Sequence, residues 1–282
     1  MLQKAKDGTL VIDKGNLRFF YYRDNAFMPL EFSAAAYRFG HSMIRPGYRL
    51  NDGVPPLPMF KQGANALDLR GFKPPLPGWA LDWRRFIDLV PLDYGTLVDD
   101  PDQKDPHNQN RLQLAYKIDT SLVNPLGVLH ASVAVDPSVL AQRNLERGWR
   151  MRLPSGQDVA RAMGVTPLTD DKILIGKFTG NKADIVTTID KVGDGKGFVG
   201  NCPLWTYVLA ETIVSTDTLK TLQGDKKITS RRLGPVGGRR NVRGSAAGGF
   251  QLVCELNPLW KPTLAINGVF GLRELIQRAL EG

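Results

Sequence analysis

Apolar positions along the chain fall into short blocks divided by prolines and glycines, with few long periodic runs. The segment LRFFYY, Leu17 to Tyr22, is apolar and aromatic. After it, Pro29 and Glu31 predict the start of a helix, because proline fits a first turn and a carboxylate there meets the positive end of the helix dipole. This helix carries FSAAAYRFGHSMIR and is expected to end at Pro46-Gly47. From Asn51 to Pro77, VPPLPMF and GFKPPLPG predict a long irregular excursion packed by Leu57, Phe60 and Phe72. GWALDWRRFIDL places Leu81, Phe86 and Leu89 near helical spacing, whereas YGTLVDDPDQKDPHNQN reads as an exposed acidic loop. Asp136-Pro137 predicts a helix through SVLAQRNLERG with Leu140, Asn144 and Arg147 on one face. Ser155 with Asp158 three places on is a capping box, so a further helix should start there and stop at Gly164. TDDKILIGK, the apolar NCPLWTYVLAETIV, a basic glycine-rich tract from Lys226 to Gly249 and a terminal amphipathic helix in GLRELIQRAL follow. The predicted fold class is mainly α, one domain over residues 1–282 with long irregular loops and little strand alternation.

Composition removes several classes of function. No run approaches the roughly 18 apolar residues of a membrane helix, and MLQKAKDGTL lacks the apolar core of a signal peptide, so the sequence as written reads as cytoplasmic or unaddressed. The two cysteines, Cys202 and Cys254, stand far apart and outside any CxxC spacing, which predicts two buried thiols in place of a disulfide frame or a zinc site. A net charge of +9 suits an anionic partner, yet the cations are spread along the chain. The tract with Lys226, Lys227, Arg231, Arg232, Arg239, Arg240 and Arg243 has no interleaved aromatics, so it reads as a solvated loop before it reads as a nucleic-acid surface.

Three histidines occur. His107 lies in the acidic loop and reads as solvated, while His130, in VLHASV, reads as a satisfied, partly buried side chain. His41 differs, because on a helix begun at Pro29 the residues Arg38, His41 and Arg45 project from one face while Phe32, Ala35 and Phe39 line another. An imidazole kept neutral beside guanidinium groups is served by a bound metal or a buried acceptor. A dianionic metal macrocycle meets both demands, with iron on one ring nitrogen and arginines on the edge carboxylates.

FSAAAYRFGHSMIR resembles the proximal-histidine helix of the animal-type haem peroxidases, and RNLERGWRMRLPSGQDVARAMG resembles a later segment of that family, an asparagine with an arginine three residues on and then a Leu-Pro turn. FMPLEF, DLRGF, WALDWRRF, KIDTSL, LGPVGGR and NPLWKPTL resemble bacterial members in the same order, so the resemblance runs from about Leu17 to the terminus. It implies a helical haem peroxidase fold, haem b (iron protoporphyrin IX) as cofactor, and hydrogen peroxide with an organic or halide donor as substrates. His41 becomes the metal ligand, Arg38 and Arg147 become cofactor-binding residues at the haem propionates, and Asn144 joins the catalytic apparatus as acceptor for the other ring N–H of His41.

The family's distal histidine and arginine, needed to move the peroxide proton and steady the departing oxygen, lie upstream of the proximal helix, and no histidine precedes His41 here. The chain is therefore expected to supply the proximal half of a domain, with the distal half missing or carried by a second chain. Two alternatives are a cyclooxygenase-like fatty-acid dioxygenase and a non-catalytic haem-binding or basic binding module. The first needs a tyrosine three residues before the histidine, where Arg38 stands with Tyr37 one place off.

Overall fold

The computed structural model describes residues 28–61, 67–71, 76–87, 89–92, 112–178, 182–193 and 197–238, together with the backbone of 2–4 and 10–12. LRFFYY, Phe72, His107, Cys254, NPLWKPTL, the tract beyond Gly238 and GLRELIQRAL lie outside the described residues.

Four two-stranded antiparallel sheets alternate with short helices, which overturns the mainly α expectation. The order begins with strands β1 (Leu2–Lys4) and β2 (Leu10–Ile12), paired with Leu2 opposite Ile12. Helix α1 (Leu30–Ala34) follows, and a 3₁₀ helix Ala36–Met43 continues from it. Strands β3 (Gly47–Tyr48) and β4 (Leu57–Pro58) make a small hairpin inside the excursion expected to be irregular. Leu57 is buried there, and Phe60 packs at the edge of a satellite cluster with Leu126 and Leu129. Around Trp83 the expected helix is reduced to a single 3₁₀ turn, Trp83–Arg85, with Asp82 accepting from the Arg84 backbone N–H at 3.1 Å. Next come α2 (Asn124–Gly127), α3 (Leu140–Arg150) and α4 (Gly156–Ala162), the hairpin of β5 (Leu174–Gly176) and β6 (Val186–Thr188), and α5 (Leu204–Ala210). Last stand β7 (Ile213–Thr221) and β8 (Gly224–Arg232), joined by a tight turn at Leu222-Gln223, and a helical turn at residues 235–238. No helix of the described residues is long and apolar enough to cross a membrane.

Among the described residues the longest helix, α3, has 11 residues, while β7 and β8 have 9 each. Helices stay short because 19 prolines and 29 glycines punctuate the chain. The β7–β8 hairpin holds because IVSTDTLKT and GDKKITSRR are rich in β-branched residues that suit a pleated strand. The opening of the expected basic loop, residues 226–232, is therefore strand.

The core forms around α5, whose Leu204, Trp205, Tyr207, Val208, Leu209 and Ala210 are all buried. Each aliphatic side chain removed from water this way contributes about 1.5–3 kcal/mol. Against α5 pack Val159 and Ala160 of α4, together with Ala35, Ile118, Ile173, Ile189 and Val236. Cys202 lies in this core with no exposed surface, and burial pushes its thiol well above the usual range, as suits an inert side chain.

Helix α4 fulfils the capping-box expectation. Ser155 Oγ accepts from the Asp158 N–H at 3.1 Å and donates to the Asp158 carboxylate at 2.9 Å, and Gly164 takes φ +68 just past the helix end. At Gly156 the α4 backbone runs so close to α5 that an added Cβ would sit 2.0 Å from the Tyr207 ring. Helix α3, by contrast, starts at Leu140 and not at Asp136-Pro137; Pro137 instead lends its carbonyl to Arg143 at 3.1 Å.

Candidate functional site

The site is built where the 3₁₀ helix Ala36–Met43, helix α3 and helix α5 meet. Ala34, Ala35 and Ala36 have no exposed surface, so small side chains let the backbone there press against its neighbours. The helix expected to run unbroken from Pro29 is interrupted at Ala35 and rewinds as 3₁₀. Two tertiary contacts hold the tighter winding in place. Trp205 Nε1–H, from α5, donates to the Arg38 carbonyl at 3.2 Å. Ser42 Oγ donates to the Asp119 carbonyl at 2.7 Å and accepts from the Asp119 N–H at 3.0 Å, so the KIDTSL segment is clamped to the residue after His41.

At three residues per turn, side chains at i and i+3 eclipse one another, which keeps Arg38 and His41 on one edge and carries Arg45 away. Arg45 does not share that face: it is buried, donates to the Leu114 carbonyl at 2.9 Å and lies 5.6 Å over the Tyr116 ring.

Helix α3 brings one buried residue to this edge, Asn144, with no exposed surface. An amide costs free energy when buried unless both of its ends find partners. Both do. Asn144 Oδ1 accepts from Arg38 Nη1 at 3.2 Å, and Asn144 Nδ2 stands 2.9 Å from His41 Nδ1. These residues are 106 and 103 positions apart in sequence.

The orientation of that amide follows from its partners. Arginine only donates, so the carbonyl end must face Arg38, which leaves Nδ2–H donating to a bare His41 Nδ1. The neutral ring then carries its proton on Nε2. This reverses the role implied for Asn144 as an acceptor, and the reason is Arg38, which claims the oxygen. Burial, and then the nearby Arg38 cation, hold the His41 imidazole below its ordinary value and favour the neutral ring.

The charges of Arg147 and of Arg143, a residue that the sequence did not single out, both act on Arg38. Burial first, then the charges of Arg147 and Arg143, push the Arg38 guanidinium below its usual range. The signal for Arg143 was present, since arginines four apart in RNLER share one helix face. Among the described residues, no carboxylate pairs with Arg38, Arg143 or Arg147.

His130 lies elsewhere, as expected. It is half-buried against the Arg70 guanidinium and 2.9 Å from Ser132 Oγ, while Asp68, of DLRGF, is buried and salt-bridged to Arg70 at 2.6 Å. Tyr37 is 65% exposed with its ring 5.2 Å from Phe32. Among the described residues no group of three or more His, Cys, Asp or Glu could hold a metal by itself. What the site offers is a single neutral imidazole, an amide behind it and three cations that have no carboxylate partner among the described residues. Comparison of the chain with family models, curated proteins and solved structures finds no match.

Proposed function

We propose that the chain is the proximal, haem-holding side of a peroxidase, in which His41 would hold the iron and Arg38 and Arg147 would pair with the haem carboxylates. The observation that carries this reading is the buried Asn144 amide standing 2.9 Å from His41 Nδ1. A single imidazole steadied through Nδ1 leaves Nε2 as the ligating atom, and a site with one protein ligand suits a metal whose remaining positions come from a macrocycle. Planar guanidinium forks without carboxylate partners suit two carboxylates at one edge.

Bound haem supplies the two-electron reduction of hydrogen peroxide at the expense of an organic or halide donor. The chain's own residues do the holding. His41 presents a neutral nitrogen, Asn144 fixes the ring, and Ser42 together with Trp205 anchors the backbone on either side of His41. Were His41 to hold iron through Nε2, Nδ1 would carry the proton and the Asn144 oxygen would have to serve the ring as its acceptor. A neutral amide draws on that proton less than a carboxylate would, which leaves the imidazole a milder donor. The base and cation for the other face come from a second chain or segment in this reading.

Titrating haemin into the purified chain tests the proposal by the Soret band. Saturable, stoichiometric binding with a shifted band that His41→Ala abolishes is the expected result. A band identical in the wild type and His41→Ala chains refutes ligation by His41.

A further inference from the structure

The hairpin of β7 and β8 is a sheet left unfinished on one side. A two-stranded sheet is marginal in water unless a further strand or an apolar face completes it, and of these two strands only Leu219 and Thr221 are buried. Strand β7 has a neighbour at its turn end, where Leu92 pairs with Thr221 in parallel and lends its carbonyl to the Leu222 N–H at 3.1 Å. Strand β8 has no second neighbour among the described residues. We infer that the open edge of β8 docks an extended acidic segment of another protein, which adds to the hairpin as its third strand. Docking there needs no haem and no part of the His41 site.

The register decides which backbone groups meet the incoming strand. Thr221 and Gly224 close the two-residue turn as a hydrogen-bonded pair, so hydrogen-bonded pairs recur at every second position along the hairpin. Lys227 and Thr229 stand at the positions between, opposite Thr218 and Thr216, and their N–H and C=O groups point away from β7. An extended backbone finds a ready ladder in them.

Side chains set the chemistry of the partner. Most charges of the hairpin are matched within it: Arg232 pairs with Asp217 at 2.5 Å, Asp225 stands opposite Lys220, and Arg231 turns to Thr212 and the Phe178 ring. Lys226 and Lys227 remain, with no acid partner among the described residues. As neighbours on a strand they project from opposite faces of the sheet, so two adjacent acidic residues on an added strand meet one lysine each. Thr216, Thr218 and Thr229 beside them favour β-branched residues at the remaining positions. A second copy of the chain is a poor occupant, because it brings the same two lysines and a net charge of +9 to an edge where lysine repels its like.

The test adds to the full chain a capped peptide of threonine and valine with two adjacent glutamates at its centre. Saturable binding in isothermal titration calorimetry, with slowed amide hydrogen exchange at Lys227 and Thr229, is the expected result. The same peptide methylated at alternate backbone nitrogens keeps its charge but loses its ladder, and it does not bind. Lys226→Glu combined with Lys227→Glu raises the Kd at least about tenfold, and a peptide with lysines in place of its glutamates then binds the variant better than the parent. Equal binding by the methylated peptide reduces the edge to a patch of charge and overturns the inference. Failure of the glutamate peptide to bind overturns it, and so does self-association of the peptide-free chain through β8 in sedimentation. A single-stranded oligonucleotide that binds where the glutamate peptide does not assigns the lysines to nucleic acid and overturns it as well.

Discussion

A buried amide has to satisfy a donor end and an acceptor end, and Asn144 does so between two side chains three positions apart on another helix. Removing it leaves Arg38 and His41 with nothing in common. Asn144→Ala is expected to cost about 1–3 kcal/mol of unfolding free energy in urea, against about 0.5 kcal/mol or less for the exposed Arg147→Ala. At this scale the sequence was informative about position more than about role. The spacing of Arg38 and His41 placed them together, and i, i+4 spacing on α3 could have added Arg143. Arg45 was misplaced because the rewinding to 3₁₀ alters which side chains align, and Leu114 and Tyr116 capture its guanidinium. Which way the Asn144 amide points was not legible at all, since it is set by an arginine 106 residues earlier.

Local signals decide the elements where capping chemistry is strong, and packing decides them elsewhere. The Ser155–Asp158 box marked α4 correctly because both of its bonds form within four residues. Ser155→Ala is expected to lower stability by about 1 kcal/mol. Gly156→Ala should cost more, at least about 2 kcal/mol, because its Cβ would fall on the Tyr207 ring and force α4 from α5; thermal melts of the two variants against the parent compare them directly. The break at Ala35 left no sign in FSAAAYRF, whose alanines are good helix formers, since the contacts that favour 3₁₀ come from Trp205 and Asp119. The β7–β8 hairpin did leave one. The run IVSTDTLKT is dense in threonine, valine and isoleucine, and Gly224 takes φ +104 at the turn, but its alternation is blurred because most of both strands is solvated.

For the molecule as a whole, one buried carboxylate ties stability to pH. Glu211, at the end of α5, accepts from the backbone N–H groups of Val236 and Gly237, and in LGPVGG a Cβ on Gly234 would collide with Glu211 and one on Gly237 with Val208. Burial outweighs those bonds and pushes the carboxyl up to about 7 from an ordinary 4.5. Below pH 4.5 the group is protonated in folded and unfolded chains alike, and its contribution to stability is fully present. As pH rises through 7 the folded chain must keep a buried charge that the unfolded chain carries freely, so about 3 kcal/mol is lost. His41 works in the opposite sense below its ordinary 6.5, so the comparison between the parent and Glu211→Gln isolates the carboxylate. Urea unfolding at pH 5 and pH 8 should show a fall in stability in the parent that Glu211→Gln largely removes.

The central claim is that His41 is a ligand whose ring is steadied by Asn144. Resonance Raman spectroscopy of the ferrous haem-loaded chain reads that bond through its iron–imidazole stretching mode. The account predicts a mode that is absent in His41→Ala and shifted to lower frequency in Asn144→Ala, where the hydrogen bond to Nδ1–H is gone. A mode that survives His41→Ala unchanged, or none in the parent chain, contradicts it.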